Sequence, residues 1–94
     1  MRFVWDARKN RRNVAKHGVA FETAARIFEG PRLTMIDDRE DYGELREVSI
    51  GLVDGLVALI VVHSESDGAV RIISARRALK RERKRYEEAI RQAT

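Results

Sequence analysis

The sequence contains no cysteine, one proline, one tryptophan and two histidines in 94 residues. Without cysteine there is no disulfide framework and no thiolate-ligated zinc or iron–sulfur centre. Two histidines are too few for a convincing metal site, so neither a metal nor a cofactor is expected. The longest apolar run, Leu56 to Val62, falls far short of the roughly 20 residues a membrane helix requires. The segment Met1-Arg2-Phe3-Val4-Trp5-Asp6 carries no signal-peptide h-region. A Gly-rich phosphate loop, a nucleophile elbow and a zinc motif are also missing. These absences lead us to expect a cytoplasmic protein with no membrane contact.

Hydrophobic residues make up 44% of the chain, enough to argue against disorder and to fill the core of a single domain spanning residues 1–94. The net charge is only +4, but it is unevenly placed. Residues 1–33 hold eight basic and three acidic side chains, residues 34–67 two and nine, and residues 68–94 nine and three. Charge segregated in this way suits a polyanion or a charged protein partner. Fifteen of the 19 basic residues are arginine, whose planar fork matches a phosphate better than the point charge of lysine.

The pattern of apolar and turn residues predicts the order β-α-α-β-β-β-β-α. Arg2 to Trp5 reads as a short strand, and Asp6 is placed to cap a helix from Ala7 to His17 that Gly18 stops. Phe21, Ala24, Ala25 and Phe28 recur at helical spacing, giving a second helix to Glu29 that Gly30-Pro31 ends. Strands follow at Leu33 to Ile36, Glu44 to Val53, Leu56 to Glu65 and Val70 to Ala75. Asp54-Gly55 and Ser66-Asp67-Gly68 mark the turns of an antiparallel meander. The third of these strands is apolar on both faces and belongs in the centre of the sheet. The run Asp37-Asp38-Arg39-Glu40-Asp41 reads as a solvated loop or a docking patch for a basic partner. A last helix is expected from Leu79 to Gln92. The fold class is α+β, with two N-terminal helices on one sheet face and a basic C-terminal helix.

Two groups of residues carry chemistry. From Arg76 to Arg85 seven residues in ten are basic. Helical winding gathers Arg77, Lys80, Arg81, Lys84 and Arg91 on one side and places Leu79, Tyr86 and Ile90 in a buried stripe. That is a footprint for a phosphate backbone or, more simply, a solvated helix face. The other group lies on the strands. His63 and Glu65 share one strand face, and pairing centred near residue 67 places His63 beside Arg71. A histidine, a carboxylate and a guanidinium on one surface suit RNA transesterification, but they equally suit a strand-end histidine with a cross-strand ion pair. Lys9, Asn13 and His17 share one side of the first helix and could contact phosphate or form a wet face.

Taken together, these segments resemble the BrnT family of toxins from type II toxin–antitoxin systems. The resemblance runs through Phe3-x-Trp5-Asp6-x-x-Lys9, Asn13-x-x-Lys16-His17-Gly18-Val19-x-Phe21-Glu22-x-Ala24, Phe28, Gly43-Glu44-x-Arg46, Ile50-Gly51, Val62-His63-x-Glu65, Arg71-Ile72-Ile73-Ser74-Ala75-Arg76 and Arg81-Glu82-Arg83-x-x-Tyr86. The sequence departs from the family pattern at Ala7, often proline, and at Ala20, where a small polar cap is usual. The resemblance implies a RelE-like fold and an endoribonuclease that cuts RNA without metal, by attack of the 2′-OH on the adjacent phosphate, and so arrests growth. It also implies a cognate ribbon-helix-helix, BrnA-like antitoxin, with DNA reached only through the complex.

Under that reading His63, Glu65, Arg71 and Arg76 are the expected catalytic residues. Lys9, His17, Arg46, Ser74, Arg77, Lys80, Arg81 and Lys84 are the expected RNA-binding residues, with Glu44 as a further outer candidate. The rival reading is a non-catalytic nucleic-acid-binding module whose partner supplies the function.

Overall fold

A computed structural model describes residues 1–93. Its elements are β1 (Phe3–Val4), α1 (Ala7–His17), α2 (Phe21–Ala24), a 3-10 helix (Ala25–Glu29), β2 (Arg32–Asp37), β3 (Arg46–Val53), β4 (Val57–Ser66), β5 (Ala69–Arg77) and α3 (Lys80–Gln92). The five strands form one mixed sheet in the order β1-β5-β4-β3-β2. β4 is central, and β1 runs parallel to β5 while the other neighbours are antiparallel.

Local chemistry sets the helix ends. The Asp6 carboxylate accepts from the backbone N–H groups of Arg8 and Lys9 at 2.8 and 3.1 Å, which opens α1. Gly18 closes it at φ 71°, donating to the Val14 carbonyl. At Ala20 no side chain caps α2. Asn10 of α1 supplies the missing acceptor, taking the Phe21 N–H at 2.9 Å while its amide donates to Glu22. The stretch expected as one helix from Phe21 to Glu29 tightens to 3-10 geometry after Ala24, a common way to finish a helix before a break, here Gly30-Pro31.

The sheet is covered on both sides. On one face Phe21, Ala24 and Ile27 pack onto Leu59, Val61, Ile72 and Ala75. Gly51 allows the closest approach there, because a Cβ at that position would lie 2.9 Å from the Ile27 Cβ. On the other face Tyr86 of α3 packs on Ile50 and Ile60, and its hydroxyl donates to the Pro31 carbonyl at 2.8 Å. α3 covers only part of this second face.

α1 lies along β5 and is tied to it by one buried side chain. Asn13 accepts from the Ala75 N–H at 3.1 Å and donates to the Ala75 carbonyl at 2.8 Å, so its amide takes the place of a neighbouring strand beyond the short β1. The same amide nitrogen donates to the Val19 carbonyl. This lock fixes the C-terminal end of α1, with His17, at the sheet margin.

Three expectations about register and bounds need correction. Asp67 and Gly68 both take positive φ, forming a two-residue turn in which Ser66 pairs with Ala69. His63 therefore pairs with Ile72 rather than Arg71, and a one-residue slip moves a side chain to the opposite face. Secondly, β5 continues through Arg77, so Arg77 belongs to a strand and not to the basic helix. Thirdly, Leu79 is the residue before the first turn of α3 and is 48% exposed instead of buried.

Candidate functional site

An irregularity in β5 arranges the polar residues of the second face. Val62 pairs with Ser74 but His63 pairs with Ile72, so Ile73 is an extra residue, a β-bulge. Residues paired directly across an antiparallel ladder share a face. Arg76 lies opposite Ile60, Ser74 opposite Val62 and Arg71 opposite Ser64. The bulge thus keeps Arg71, Ser74 and Arg76 on the face that carries α3, whereas regular alternation would have turned Arg71 away from Ser74.

Where α3 leaves this face open there is a cleft of about 250 Å³ with Val48, Ile60 and Val62 among its lining and His17, Arg39, Ser74 and Arg76 around it. A second hollow of about 210 Å³ adjoins it through His17 and Ser74 and is lined by Lys9, Arg12, Asn13, Lys16 and Ile73. The bulged residue and the C-terminal half of α1 thus form a basic extension of the cleft. A third, shallow hollow lies at the start of α3 among Leu79, Lys80, Arg81 and Lys84.

Arg76 is held by α3. Its Nη1 and Nη2 donate to Oε1 and Oε2 of Glu82, both at 2.9 Å. Oε1 also accepts the Leu79 N–H at 2.7 Å, so one carboxylate both closes the first turn of the helix and clamps the arginine. Hydrogen bonds from Arg76 are the main cause that holds the Glu82 carboxyl down at about 2, against the opposing effect of burial. This end-on pairing leaves the Nε–H of Arg76, with the remaining Nη2 hydrogen, as a second fork without a partner among the described residues.

Arg39 is paired the other way round. Its Nε and Nη2 donate to the two oxygens of Asp37 at 2.7 and 2.8 Å, and the Tyr42 hydroxyl donates to the same carboxylate at 3.3 Å. The bonds from Arg39 lower the Asp37 carboxyl to about 2. Arg46 stacks over the Tyr42 ring at 4.0 Å and lies near Glu44 at 3.4 Å.

The pair His63 and Glu65 stands apart from this cleft. His63 is 5% exposed on the α2 side of the sheet, edge-on to Phe28 at 5.0 Å between ring centroids. Its Nε2 lies 2.7 Å from the Ser49 hydroxyl, which in turn lies 2.7 Å from that of Thr34. Burial is the main cause that lowers the His63 pKa below its ordinary value, and the nearby Glu47 charge opposes it. Glu65 follows on the same side, exposed, opposite Val70.

The structure therefore brings together Arg76, Ser74 and His17, with Lys9 alongside, and places Arg71 and Arg46 on strands of the same sheet. It does not bring His63 or Glu65 to them, and Arg77 points to the other face, opposite Leu59. The member that sequence reasoning missed is Arg39. Its only signal was one arginine inside an acidic run, and nothing in the spacing shows that the loop folds back over the sheet. Among the described residues, no three His, Cys, Asp or Glu side chains gather as metal ligands would, and no helix is long and apolar enough to cross a membrane.

Fold and cleft define a class: small α+β proteins with a five-stranded mixed sheet, one face of which is left partly open and edged with arginine. Comparison with known families narrows this to one. The family described as "Ribonuclease toxin, BrnT, of type II toxin-antitoxin system" matches residues 5–82, and the chain belongs to that family. Among solved structures it is similar to the Brucella abortus ribonuclease toxin BrnT, with a TM-score of 0.64 and 25% identity, over 85% of this chain and 99% of that one. No curated protein matches the sequence.

Proposed function

We propose that this chain is a metal-independent endoribonuclease toxin with a RelE-like arrangement, acting at the cleft that the end of α1 and the open face of β3, β4 and β5 form. The observation that carries the reading is the open fork of Arg76 beside Ser74 and His17 in one cleft. RNA needs no external nucleophile. The 2′-oxygen attacks the adjacent phosphorus as its proton passes to a base, the P–O5′ bond breaks, and O5′ receives a proton. The products are a 2′,3′-cyclic phosphate and a 5′-hydroxyl.

Charge builds on the non-bridging oxygens during this step. A guanidinium already held in place, with donors aimed at them, stabilises it without reorganisation. Arg76 fills that role, with Ser74 as a hydroxyl donor. His17 takes the acid–base role that the sequence suggested for His63, because it is the histidine at the cleft. Lys9, Arg12 and Lys16 line the path of the flanking strand. Lys80, Arg81 and Lys84 offer a further phosphate contact at the start of α3, and Arg46 and Arg71 add to the field on the same face. The toxin is held inactive by a ribbon-helix-helix, BrnA-like antitoxin, and reaches DNA only in that complex.

The test is cleavage of an RNA oligonucleotide by purified protein in EDTA, with products analysed for 2′,3′-cyclic ends. Arg76→Ala and His17→Ala are expected to lose at least about 10²-fold in rate, while folded His63→Gln retains cleavage. Salt-sensitive RNA binding without any cleavage, on naked or ribosome-bound RNA, overturns the reading in favour of a binding module.

A further inference from the structure

The acidic segment between β2 and β3 has no part in the mechanism above, yet it sends an arginine into the cleft. We propose that Arg39 is a second phosphate-gripping residue of the same site, presented by the 38–45 loop on a buried carboxylate stem. The proposal rests on the ribonuclease reading for its substrate and on three observations for its geometry.

The first is the division of exposure within the ion pair. The Asp37 side chain is 1% exposed and that of Arg39 71%. In an ordinary surface pair both partners face water and the contribution is small. Here the carboxylate at the end of β2 is inside, and the guanidinium stands on it facing out.

The second is that the stem is held from several directions. The Tyr42 hydroxyl bonds the carboxylate, Arg46 covers the Tyr42 ring, and Gly43 turns the chain at φ 72° with its N–H on the Asp41 carboxylate. The loop is folded onto the sheet by these contacts, so the arginine is placed before a ligand arrives.

The third is complementary use of donors. Arg39 spends its side-on fork, Nε and Nη2, on Asp37; Arg76 spends its end-on fork, Nη1 and Nη2, on Glu82. Each retains the fork that the other has used, and both border one cleft. Two guanidiniums that border one cleft with unlike forks turned free suit an anion between them. The charge of Arg39 is felt at Arg76, consistent with that proximity. A phosphate passing to a pentacoordinate transition state offers two non-bridging oxygens, one for each fork.

Arg39→Lys keeps a positive charge for Asp37 but has no second fork. It is expected to retain the fold and to lose about 10²-fold in kcat on RNA. In a second measurement on the unmodified protein, the Nε–H resonances of both Arg39 and Arg76 are followed by NMR during titration with a 2′-deoxy oligonucleotide that cannot be cut, and both are expected to shift. Parent-like kcat in folded Arg39→Lys, with Arg76→Ala inactive, overturns the role of Arg39 and leaves the ribonuclease reading standing. If the parent protein cuts no RNA, that reading falls by itself. The Arg39 resonance then decides the phosphate site alone: a shift supports it, and no shift at Arg39 overturns it. The same resonance decides the matter if Arg39→Lys does not fold.

Discussion

The two histidines show how little a residue's identity says without its surroundings. His17 is exposed at the end of α1 and borders the cleft, whereas His63 is enclosed by Phe28 and Ser49. Strand periodicity correctly places His63 and Glu65 on one face, but it cannot say which face is buried, and that decides the chemistry. The burial of His63 has a consequence for stability. Its pKa is lowered in the fold from the ordinary 6.5, chiefly by desolvation, so between those two values the unfolded chain binds a proton that the folded chain does not. Stability therefore declines as pH falls below about 6.5, and the decline is complete once pH drops below the folded value. Thermal melts between pH 5 and 7.5 are expected to show this slope in the parent protein. His63→Gln, which keeps a polar partner for Ser49, is expected to flatten it even though its melting temperature is lower throughout. An unchanged slope in that variant assigns the titration to another group.

At the scale of elements, much of the architecture is legible because it rests on local signals. Asp6 and Gly18 mark α1, Gly30-Pro31 ends the second helical stretch, and two Asp-Gly pairs mark the hairpins. The face of α3 that meets the sheet follows from Tyr86 and Ile90. What is not legible is the relation between strands. The bulge at Ile73 and the two-residue turn at Asp67-Gly68 decide which side chains share a face, and both depend on pairing energies that no single segment contains. Glu82 belongs with these non-local features. It looks like an ordinary capping residue, but besides the Leu79 N–H it takes two hydrogen bonds from Arg76 and so links α3 to the strand. Glu82→Gln is expected to cost about 1 kcal/mol of stability through the weakened cap. It should also lower kcat more than it raises KM, because Arg76 loses its fixed aim. Glu82→Asp, too short to serve both partners, should not rescue the rate. Acid dependence follows from the same contact. With the carboxyl held at about 2 against an ordinary 4.5, its contribution is complete above the ordinary value and is lost as pH falls toward about 2. Near neutral pH the clamp is therefore constant, and a parent-like kcat in Glu82→Gln would remove its positioning role.

For the molecule as a whole, the small net charge of +4 conceals two basic ends around an acidic middle. The fold does not keep these blocks apart. α1, β5 and α3 bring the ends to the margins of one sheet face, and the acidic middle contributes Arg39 there while Asp37 anchors it. Three basic hollows, at the cleft, along α1 and at the start of α3, give room for about three backbone phosphates. Each phosphate neutralised on a single strand contributes about −0.7 to the slope of log K against log salt, so binding of an uncleavable 2′-deoxy oligonucleotide is expected to show a slope of about −2. Removing the α1 hollow with Lys9→Gln and Lys16→Gln together should take about one such step from the slope. Both side chains are exposed on α1, so the fold is expected to be unchanged, and with Arg76 and His17 in place the cleavage rate at saturating RNA is expected to be retained. Titrations followed by fluorescence anisotropy at four or five salt concentrations measure the slope directly. A double variant with the parent's slope places the strand elsewhere than along α1, whereas a reduced slope with an intact saturated rate identifies α1 as the strand path and β5 with Arg76 as the place of cutting.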